Sequence, residues 1–392
     1  DVAMIALLCA VDTQLKGVIM APTEILSVQH YFKFKARFSF LGIDIYLLKS
    51  KMPAKEKRYV IEKINSDVPC IVVGTHALLE DVVELPNVGV CIIDEQHRFG
   101  VMQRMRLLSK SGLHPHCLFM TATPIPRTFM LTCFGDLDKS VIDQLPPGRY
   151  PIKTYFVKDR NKDKVYRFCF DRLFLGEQIY MVYPLVDSSE KMTLQSAVDA
   201  YNDIQEIFSE YEVGLLHGRM MSDEKLAVME RFKSGDCHIL VCTTVIEVGI
   251  DVPNATVMVI NHAERFGLSQ LHQLRGRIGR GDKQSACFLV AQPKTDSGKQ
   301  RIQSMLMTSD GFKIAEYDLK IRGPGDMLGT RQAGIPPFHV GDIVNDERFM
   351  GYAKECVDSI MSKDPHLSFP EHYGILMRLR AKRSLFQTQI LN

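Results

Sequence analysis

The 392-residue sequence has no long hydrophobic run, no strong net charge and no closely spaced cysteine pair. Its longest apolar stretch, residues 2–11, is too short for a helix that spans a bilayer. The net charge of +2 gives no overall basic field, so any binding of nucleic acid must depend on local patches. The ten cysteines form no C-x-x-C pair, which favours buried thiols in a reducing compartment over zinc or disulfides.

The sequence also lacks the phosphate-binding motif G-x-x-x-x-G-K-[ST], which wraps backbone N–H groups and a lysine around the phosphates of a nucleotide. The segment Ser297-Gly298-Lys299 has part of it. That segment lacks the upstream glycine, a preceding strand and a following apolar helix. The 392 residues therefore contain no complete phosphate cradle.

Short apolar runs alternate with segments of helical period, and this alternation is typical of an α/β protein with parallel sheets. A Pro-Pro-Gly break at residues 146–148 separates two such sets, so we expect two α/β domains that face each other across a cleft. The predicted strands are 18–21, 71–74, 90–94 and 118–122 in the first set, and 178–183, 213–217, 238–243, 257–260 and 286–291 in the second.

The tetrapeptide Asp94-Glu95-Gln96-His97 follows the apolar run 88–93. Two adjacent carboxylates at the end of a buried strand suit nucleotide hydrolysis, where one holds Mg²⁺ and the other orients the attacking water. Acidic residues at a strand end are also common as solvated turns or helix caps. Three strings downstream favour nucleotide hydrolysis over a solvated turn or a helix cap. They lie at 120–128 (MTATPIPRT), 243–253 (TTVIEVGIDVP) and 273–280 (QLRGRIGR).

Together these strings resemble the superfamily 2 helicases and translocases, and most closely the RecG family of branch-migration proteins, over nearly the whole chain. The resemblance implies an α/β fold with two tandem RecA-like parallel-sheet domains and a C-terminal helical-hairpin segment. The expected divisions are a first RecA-like domain truncated at its N-terminus, a second RecA-like domain, and a helical-hairpin translocation motif with a tail. Their expected ranges are 1–148, 149–292 and 293–392.

In the first domain, the resemblance implies that Asp94 binds Mg²⁺ and that Glu95 activates water. Residues that match loops contacting a nucleic-acid backbone, or coupling such contact to hydrolysis and domain closure, are Pro22, Thr23, Thr75, His97, Thr121 and Thr123. In the second domain, the matching residues that touch nucleic acid or the nucleotide cleft are Thr243, Thr244, Gly249 and Asp251, the last two as nucleotide-binding residues.

The string at 273–280 supplies the strongest signal of the second domain. Arg277 and Arg280 are three residues apart, so on a helix they project from one face. We expect this guanidinium pair to reach across the cleft to the γ-phosphate, with Gln273 as a further nucleotide-binding residue. The glycines at 276, 279 and 281 argue against an ordinary solvated helix.

Two features favour RecG within the superfamily. First, residues 94–100 read Asp-Glu-Gln-His-Arg-Phe-Gly, with His at 97, where transcription-repair coupling translocases typically read Asp-Glu-Glu-Gln-Arg-Phe-Gly. Second, residues 317–332 look like the RecG version of the helical-hairpin translocation motif. The residues that the resemblance assigns to movement along duplex DNA are Arg322, Arg331 and Gln332.

The resemblance implies ATP and Mg²⁺ as cofactors and branched duplex DNA, such as stalled forks and Holliday junctions, as the partner. Single-stranded-DNA-binding protein is a further expected partner, with no membrane association. A monomer in a bacterial cytoplasm, or in an organelle of a eukaryote, is expected. Because the family's P-loop precedes a helix like residues 2–9, the chain is expected to start just after it, with the DNA-binding wedge domain further upstream. Since one lost preorganised donor costs on the order of a hundredfold in rate, these residues alone are predicted to hydrolyse ATP negligibly.

Two other functions stay open at this point. One is a transcription-coupled repair translocase, which would bind RNA polymerase. The other is a truncated, non-catalytic module that binds DNA with a salt-dependent affinity and no dependence on nucleotide.

Overall fold

The computed structural model describes residues 1–112, 114–122, 137–138, 140–144, 148–184, 190–243, 252–322 and 347–390. These residues form two parallel β-sheets in succession along the chain, each with helices on both faces. The predicted α/β fold with two tandem parallel-sheet domains is confirmed.

The first sheet has the strand order β2-β3-β1-β4-β5, and every neighbouring pair is parallel. The central strand β1 is buried along its whole length, which is why it reads as a continuous apolar run. The strands are β1 Lys16–Met20, β2 Ile45–Leu48, β3 Ile71–Gly74, β4 Val88–Ile93 and β5 His116–Phe119.

Helices cover both faces of this sheet because successive strand residues point to opposite sides. Ile19 packs with Leu7 and Phe34 under α1 and α2, whereas Val18 packs with Ile64 on the face of α3 and α4. The helices are α1 Val2–Asp12, α2 Glu24–Phe38, α3 Ala54–Asn65 and α4 Val101–Ser109.

The second sheet has the order β6-β11-β10-β7-β9-β8, again with parallel pairs. One face packs under α5 and α6 around Phe208, and the other under α7 and α8 around Phe232 and Leu271. The strands are β6 Lys153–Val157, β7 Gln178–Val182, β8 Val213–Leu216, β9 Ile239–Cys242, β10 Ala255–Asn261 and β11 Ala286–Val290. The helices are α5 Lys162–Phe174, α6 Glu190–Ile207, α7 Ser222–Ser234 and α8 Leu268–Arg275.

Two helices that follow the second sheet share its hydrophobic core. Ile302 and Met305 of α9 and Ile314 of α10 are buried in the same cluster as Leu271 and Leu274. Both helices are therefore part of the core that covers one face of the second sheet. The C-terminal helices are α9 Asp296–Met307, α10 Gly311–Arg322, α11 Glu347–Lys363 and α12 Tyr373–Ile390. In the described part of the chain, no helix has the length and apolar character needed to cross a membrane.

The strands that sequence reasoning missed, β2 and β6, both lie at the edge of a sheet. Most of their residues are only half-buried or exposed, and β6 begins with the polar pair Lys153-Thr154, whereas β2 is a short apolar run of four residues. The central strands, and with them the position of their carboxyl ends, are predicted correctly without these two edge strands.

Candidate functional site

Asp94 leaves the carboxyl end of β4, beside the central strand β1. Its backbone N–H donates to the Met20 carbonyl at 3.0 Å, which extends the sheet by one residue. Its side chain accepts two hydrogen bonds: Oδ2 lies 2.8 Å from Nε2 of His30, and Oδ1 lies 2.9 Å from the backbone N of Glu95. The carboxylate is 18% exposed, so it is oriented by the protein and still reachable from solvent.

Glu95 adopts a left-handed backbone conformation, with φ at +48° and ψ at 52°. Such a conformation is uncommon outside glycine, and at a functional site it re-aims a side chain at the cost of local strain. The carboxylate Oε2 accepts a hydrogen bond from the backbone N–H of Ala122, 3.3 Å away, just beyond β5. The strained turn thus holds Asp94 and Glu95 at one edge of the sheet.

The pKa of the Glu95 carboxyl is raised, first by burial and second by the negative charge of Asp94. The Ala122 N–H and the positive charges of Arg277 and Arg98 oppose this rise. A raised pKa makes the carboxylate a better proton acceptor near neutral pH, which is the property required of a general base.

Arg277 comes from the second sheet's domain, yet its charge acts on Glu95 of the first. The two residues are separated by the whole of α5 to α8 in the sequence, and only the fold brings the charge of one to bear on the other. This electrostatic effect indicates that a guanidinium of one domain faces the acidic pair of the other. Parallel sheets commonly bind ligands at such strand ends.

The prediction that Arg277 and Arg280 share a helix face is wrong. Helix α8 ends at Arg275, and Gly276 is its C-cap. The following turn includes Gly279 at φ +70°, a left-handed conformation that a helix cannot contain. Arg280 donates from Nε to the Gly276 carbonyl at 3.2 Å, so this turn orients its guanidinium.

A third arginine of this segment is structural. Arg275 is 4% exposed, and its Nη1 donates to the carbonyls of Met305 and Thr308, each 3.1 Å away. Its Nη2 lies 3.1 Å from Nδ1 of His272. Burial, followed by the charge of Arg275, lowers the pKa of His272 to about 4, so at neutral pH this imidazole is uncharged and accepts the bond. Arg275 thereby ties α8 to the end of α9.

We expect Arg275→Met to lower the free energy of unfolding by about 3 kcal/mol, because two buried carbonyls lose a charged donor. Urea denaturation followed by circular dichroism measures this loss. Arg167→Met, at an exposed position of α5, is the matched control and should change stability by less than about 0.5 kcal/mol. Equal effects of the two substitutions would contradict the structural role of Arg275.

The residues predicted to contact a nucleic-acid backbone in the first domain lie at the same sheet edge. Pro22 and Thr23 follow β1, and Thr75 follows the neighbouring strand β3. Thr23 caps α2, since its side chain accepts from the backbone N of Leu26 at 3.4 Å, and Thr75 is 4% exposed. Hydroxyl and backbone N–H groups at helix starts are common phosphate ligands.

In the second domain, Thr243 follows β9 and is 1% exposed. Its Oγ1, together with His217 Nδ1 and Asn261 Oδ1, is buried with no hydrogen-bond partner among the described residues. These three side chains lie at the carboxyl ends of β8, β9 and β10, of which β8 and β9 are neighbours and β7 separates β9 from β10. Sequence reasoning named Thr243 and a strand that ends at His217 but overlooked Asn261.

The structure describes only some of the other predicted site residues. Thr121 is half-buried just after β5, and Gln273 is half-buried on α8. His97 lies in a 3₁₀ turn and Arg322 ends α10, but their side chains lie outside the described residues. Thr123, Thr244, Gly249, Asp251, Arg331 and Gln332 also lie outside the described residues. Their roles stay predictions.

Sequence reasoning also missed an internal duplication around the acidic turn. Arg-Phe-Gly occurs at 98–100 and again at 265–267, each time with a glutamine three residues after the glycine. Gln103 and Gln270 each accept the N–H of that glycine at 3.0 Å and cap α4 and α8 in the same way. In the second copy, His262 takes the left-handed conformation of Glu95, and Asn261 stands at the position of Asp94. Only the first copy carries the acidic pair.

The acidic turn suits a magnesium ion held together with phosphate oxygens. A carboxylate offers about four lone-pair sites, and Asp94 uses two of them on His30 and Glu95. Carboxylate oxygen is the ligand that Mg²⁺ prefers, and this ion is usually bound by one or two carboxylates, waters and substrate phosphates. The described residues contain no cluster of three or more acidic, histidine or cysteine ligands.

Three family models match the chain. The model for the DEAD/DEAH box helicase matches residues 1–131, and that for the helicase conserved C-terminal domain matches residues 171–282. A third, described as ATP-dependent DNA helicase RecG, domain 3, C-terminal, matches residues 308–388. The first spans all five strands of the first sheet, the second spans β7 to β10 of the second sheet, and the third spans α10, α11 and most of α12.

Curated relatives match nearly the whole chain. The ATP-dependent DNA helicase RecG of Bacillus subtilis (strain 168) is 47% identical over 376 residues, which is 96% of this chain and 55% of the relative. That of Synechocystis is 46% identical, over 93% of this chain and 44% of the relative. The chain therefore spans about half the length of these relatives.

Solved structures agree with these relatives. A RecG structure bound to a three-way DNA junction is 41% identical, with a TM-score of 0.68, and the match covers 89% of this chain and 45% of that one. A yeast Dbp5 variant bound to RNA and ADP BeF3 has a TM-score of 0.57 at 15% identity, and it supports the fold alone. The resemblance predicted from the motifs is confirmed.

Proposed function

The chain belongs to the RecG family of superfamily 2 helicases, and from this premise we propose that it forms the motor of an ATP-dependent DNA helicase. This motor would translocate on duplex DNA and remodel branched DNA, such as stalled forks and Holliday junctions. The single observation that carries this proposal is the action of Arg277, from the second domain, on Glu95 of the first.

Each group in this cleft has a proposed role in phosphoryl transfer. Glu95 accepts a hydrogen bond from the attacking water and then its proton, since its pKa is raised. Arg277 and Arg280 stabilise the negative charge that grows on the transferred phosphoryl group. Because Arg277 comes from the other domain, hydrolysis requires that the two domains close on each other.

The proposed cofactors are ATP and Mg²⁺. The helicase family match supports the use of ATP. Asp94 would hold Mg²⁺, and Gln273, Gly249 and Asp251 would contact the nucleotide. When bound, the cation neutralises phosphate charge.

The proposed partner is DNA, and the support is the relative that was solved on a three-way DNA junction. Pro22, Thr23 and Thr75 of the first domain, and Thr243 and Thr244 of the second, would contact its backbone. Arg322, Arg331 and Gln332 would convert closure of the cleft into movement along the duplex. Single-stranded-DNA-binding protein as a further partner, a monomeric state and the domain divisions at about 148 and 292 are proposed on the family resemblance alone.

The comparisons favour this function over the two alternatives. The relatives are RecG proteins, and the third family model is specific to RecG, which argues against a transcription-repair coupling translocase. A non-catalytic DNA-binding module would not need a glutamate with a raised pKa beside a second carboxylate, under the charge of an arginine from the other domain. DNA-stimulated ATP hydrolysis by the full-length protein distinguishes the motor from such a module.

We expect the 392 residues alone to bind DNA but to hydrolyse ATP at least about a hundredfold more slowly than the full-length protein, because they contain no P-loop motif. Phosphate release from both proteins on forked DNA measures the ratio. DNA binding by the 392 residues should weaken as salt rises, since it depends on phosphate contacts. Equal rates of hydrolysis would show that the phosphates are held in some other way.

A further inference from the structure

His30 and Asp94 are joined by a hydrogen bond although 64 residues separate them in the sequence. The imidazole Nε2 lies 2.8 Å from Asp94 Oδ2, and both side chains are 18% exposed. A carboxylate can only accept, so the imidazole N–H is the donor. This contact fixes one oxygen of the carboxylate that is proposed to hold Mg²⁺, and neither a motif nor a spacing in the sequence points to it.

The His30 ring is itself held in place. It packs against Phe34, one turn further along α2, with ring centroids 5.6 Å apart and planes tilted by 30°. Phe34 is 2% exposed and lies in the core under the first sheet. The second oxygen of Asp94 accepts the Glu95 N–H at 2.9 Å, so the carboxylate is constrained from both sides and keeps free lone pairs for a cation and its waters.

Helix α2 connects this contact to two other places. At its start, Thr23 caps the helix in the loop proposed to contact DNA, seven residues before His30 and therefore about 10 Å away along the helix axis. On its outer side, α2 lies against α7 of the second domain. The pKa of Lys225 on α7 is lowered, mainly by burial and also by the positive charge of Lys51. The negative charge of Glu24, the first residue of α2, opposes this effect, so the start of α2 acts on α7.

We propose that His30 is a positioning residue that holds Asp94 in the orientation for Mg²⁺ and couples the DNA-contact loop at Thr23 to that carboxylate through α2. This inference rests on the proposed role of Asp94. Partners of this kind, which orient a metal ligand without touching the metal, commonly change metal affinity by about 10- to 100-fold when they are removed.

The test compares His30→Ala, His30→Gln and Lys33→Ala in the full-length protein. Glutamine keeps an N–H donor of similar reach, and Lys33 is an exposed residue of the same helix, one turn from His30. The affinity for a fluorescent ADP analogue is measured with Mg²⁺ and again with a chelator, and the ratio of the two affinities reports the contribution of the cation. A general loss of stability leaves this ratio unchanged.

We expect His30→Ala to lower the ratio by about tenfold, and His30→Gln and Lys33→Ala to keep most of it. The stimulation of ATP hydrolysis by forked DNA should also fall by about fivefold or more in His30→Ala, since the coupling runs through this residue. An unchanged ratio in His30→Ala, or an equal loss in His30→Gln, overturns the positioning role. Retained DNA stimulation overturns the coupling.

Asp94→Asn separates this inference from the proposed function. If Asp94→Asn removes the Mg²⁺ contribution and His30→Ala does not, only the inference about His30 fails. If Asp94→Asn leaves the contribution intact, the assignment of Asp94 fails, and the role of His30 fails with it.

Discussion

Arg277→Ala in the full-length protein is expected to lower DNA-stimulated ATP hydrolysis by about a thousandfold, with little change in the affinity for ADP and Mg²⁺. A guanidinium supplied across a domain cleft stabilises charge that is present mainly in the transition state, and such arginines are worth about 10³–10⁵ in rate. The position of Arg277 near Glu95 places it to act there. Steady-state phosphate release on forked DNA gives the rate, and titration with a fluorescent ADP analogue gives the affinity.

Two variants serve as comparisons for Arg277→Ala. Arg277→Lys keeps the charge but loses the planar fork, so it should recover only a small part of the rate. Arg167→Ala, at an exposed position on α5 of the same domain, should hydrolyse ATP at the unmodified rate. A rate for Arg277→Ala within about threefold of the Arg167→Ala control would rule out a role in catalysis.

Glu95→Gln is expected to lower the same rate by about 10²–10⁴-fold, because the amide has the shape of the carboxylate but cannot take a proton. The Ala122 N–H can still donate to the amide oxygen, so the turn should stay in place. ADP affinity in the presence of Mg²⁺ should therefore change little. Glu56→Gln, on the exposed side of α3, is the control.

The raised pKa of Glu95 adds a dependence on pH. Burial and the charge of Asp94 favour the protonated carboxyl, which cannot accept a proton from water. The rate should therefore fall as pH drops through this raised pKa, at a higher pH than an ordinary glutamate would give. A rate for Glu95→Gln that equals the unmodified rate, with the same pH profile, would remove Glu95 from the mechanism.

The central parts of the fold could be predicted from the sequence because they are buried on both faces. Runs such as 71–74 and 178–182 contain almost only apolar residues, and each is a central strand. The two missed strands, β2 and β6, lie at sheet edges where solvent reaches them, although β2 is itself apolar. Burial made the central strands recognisable, but it did not decide every strand, since the sequence also predicted the edge strand β5, none of whose residues is fully buried.

The residues of the site also differ in how well the sequence predicts them. Asp94 and Glu95 could be found because they follow a buried strand directly, and the arginines because their string is distinctive. The helix expected for Arg277 and Arg280 was wrong, since Gly276 and Gly279 end α8 and favour a turn. His30 had no local signal, because its contact with Asp94 exists only after α2 has packed on the sheet.

The central claim is that one cleft combines the acidic pair of the first domain with the arginines of the second. A crystal structure of the full-length protein with Mg²⁺, ADP and beryllium fluoride measures this directly. We expect Glu95 and the guanidinium groups of Arg277 and Arg280 within hydrogen-bond distance of the beryllium fluoride group or its attacking water, with Asp94 on the side of the cation. Arginines that face solvent in that complex, with the fluoride contacted by the first domain alone, would contradict the claim.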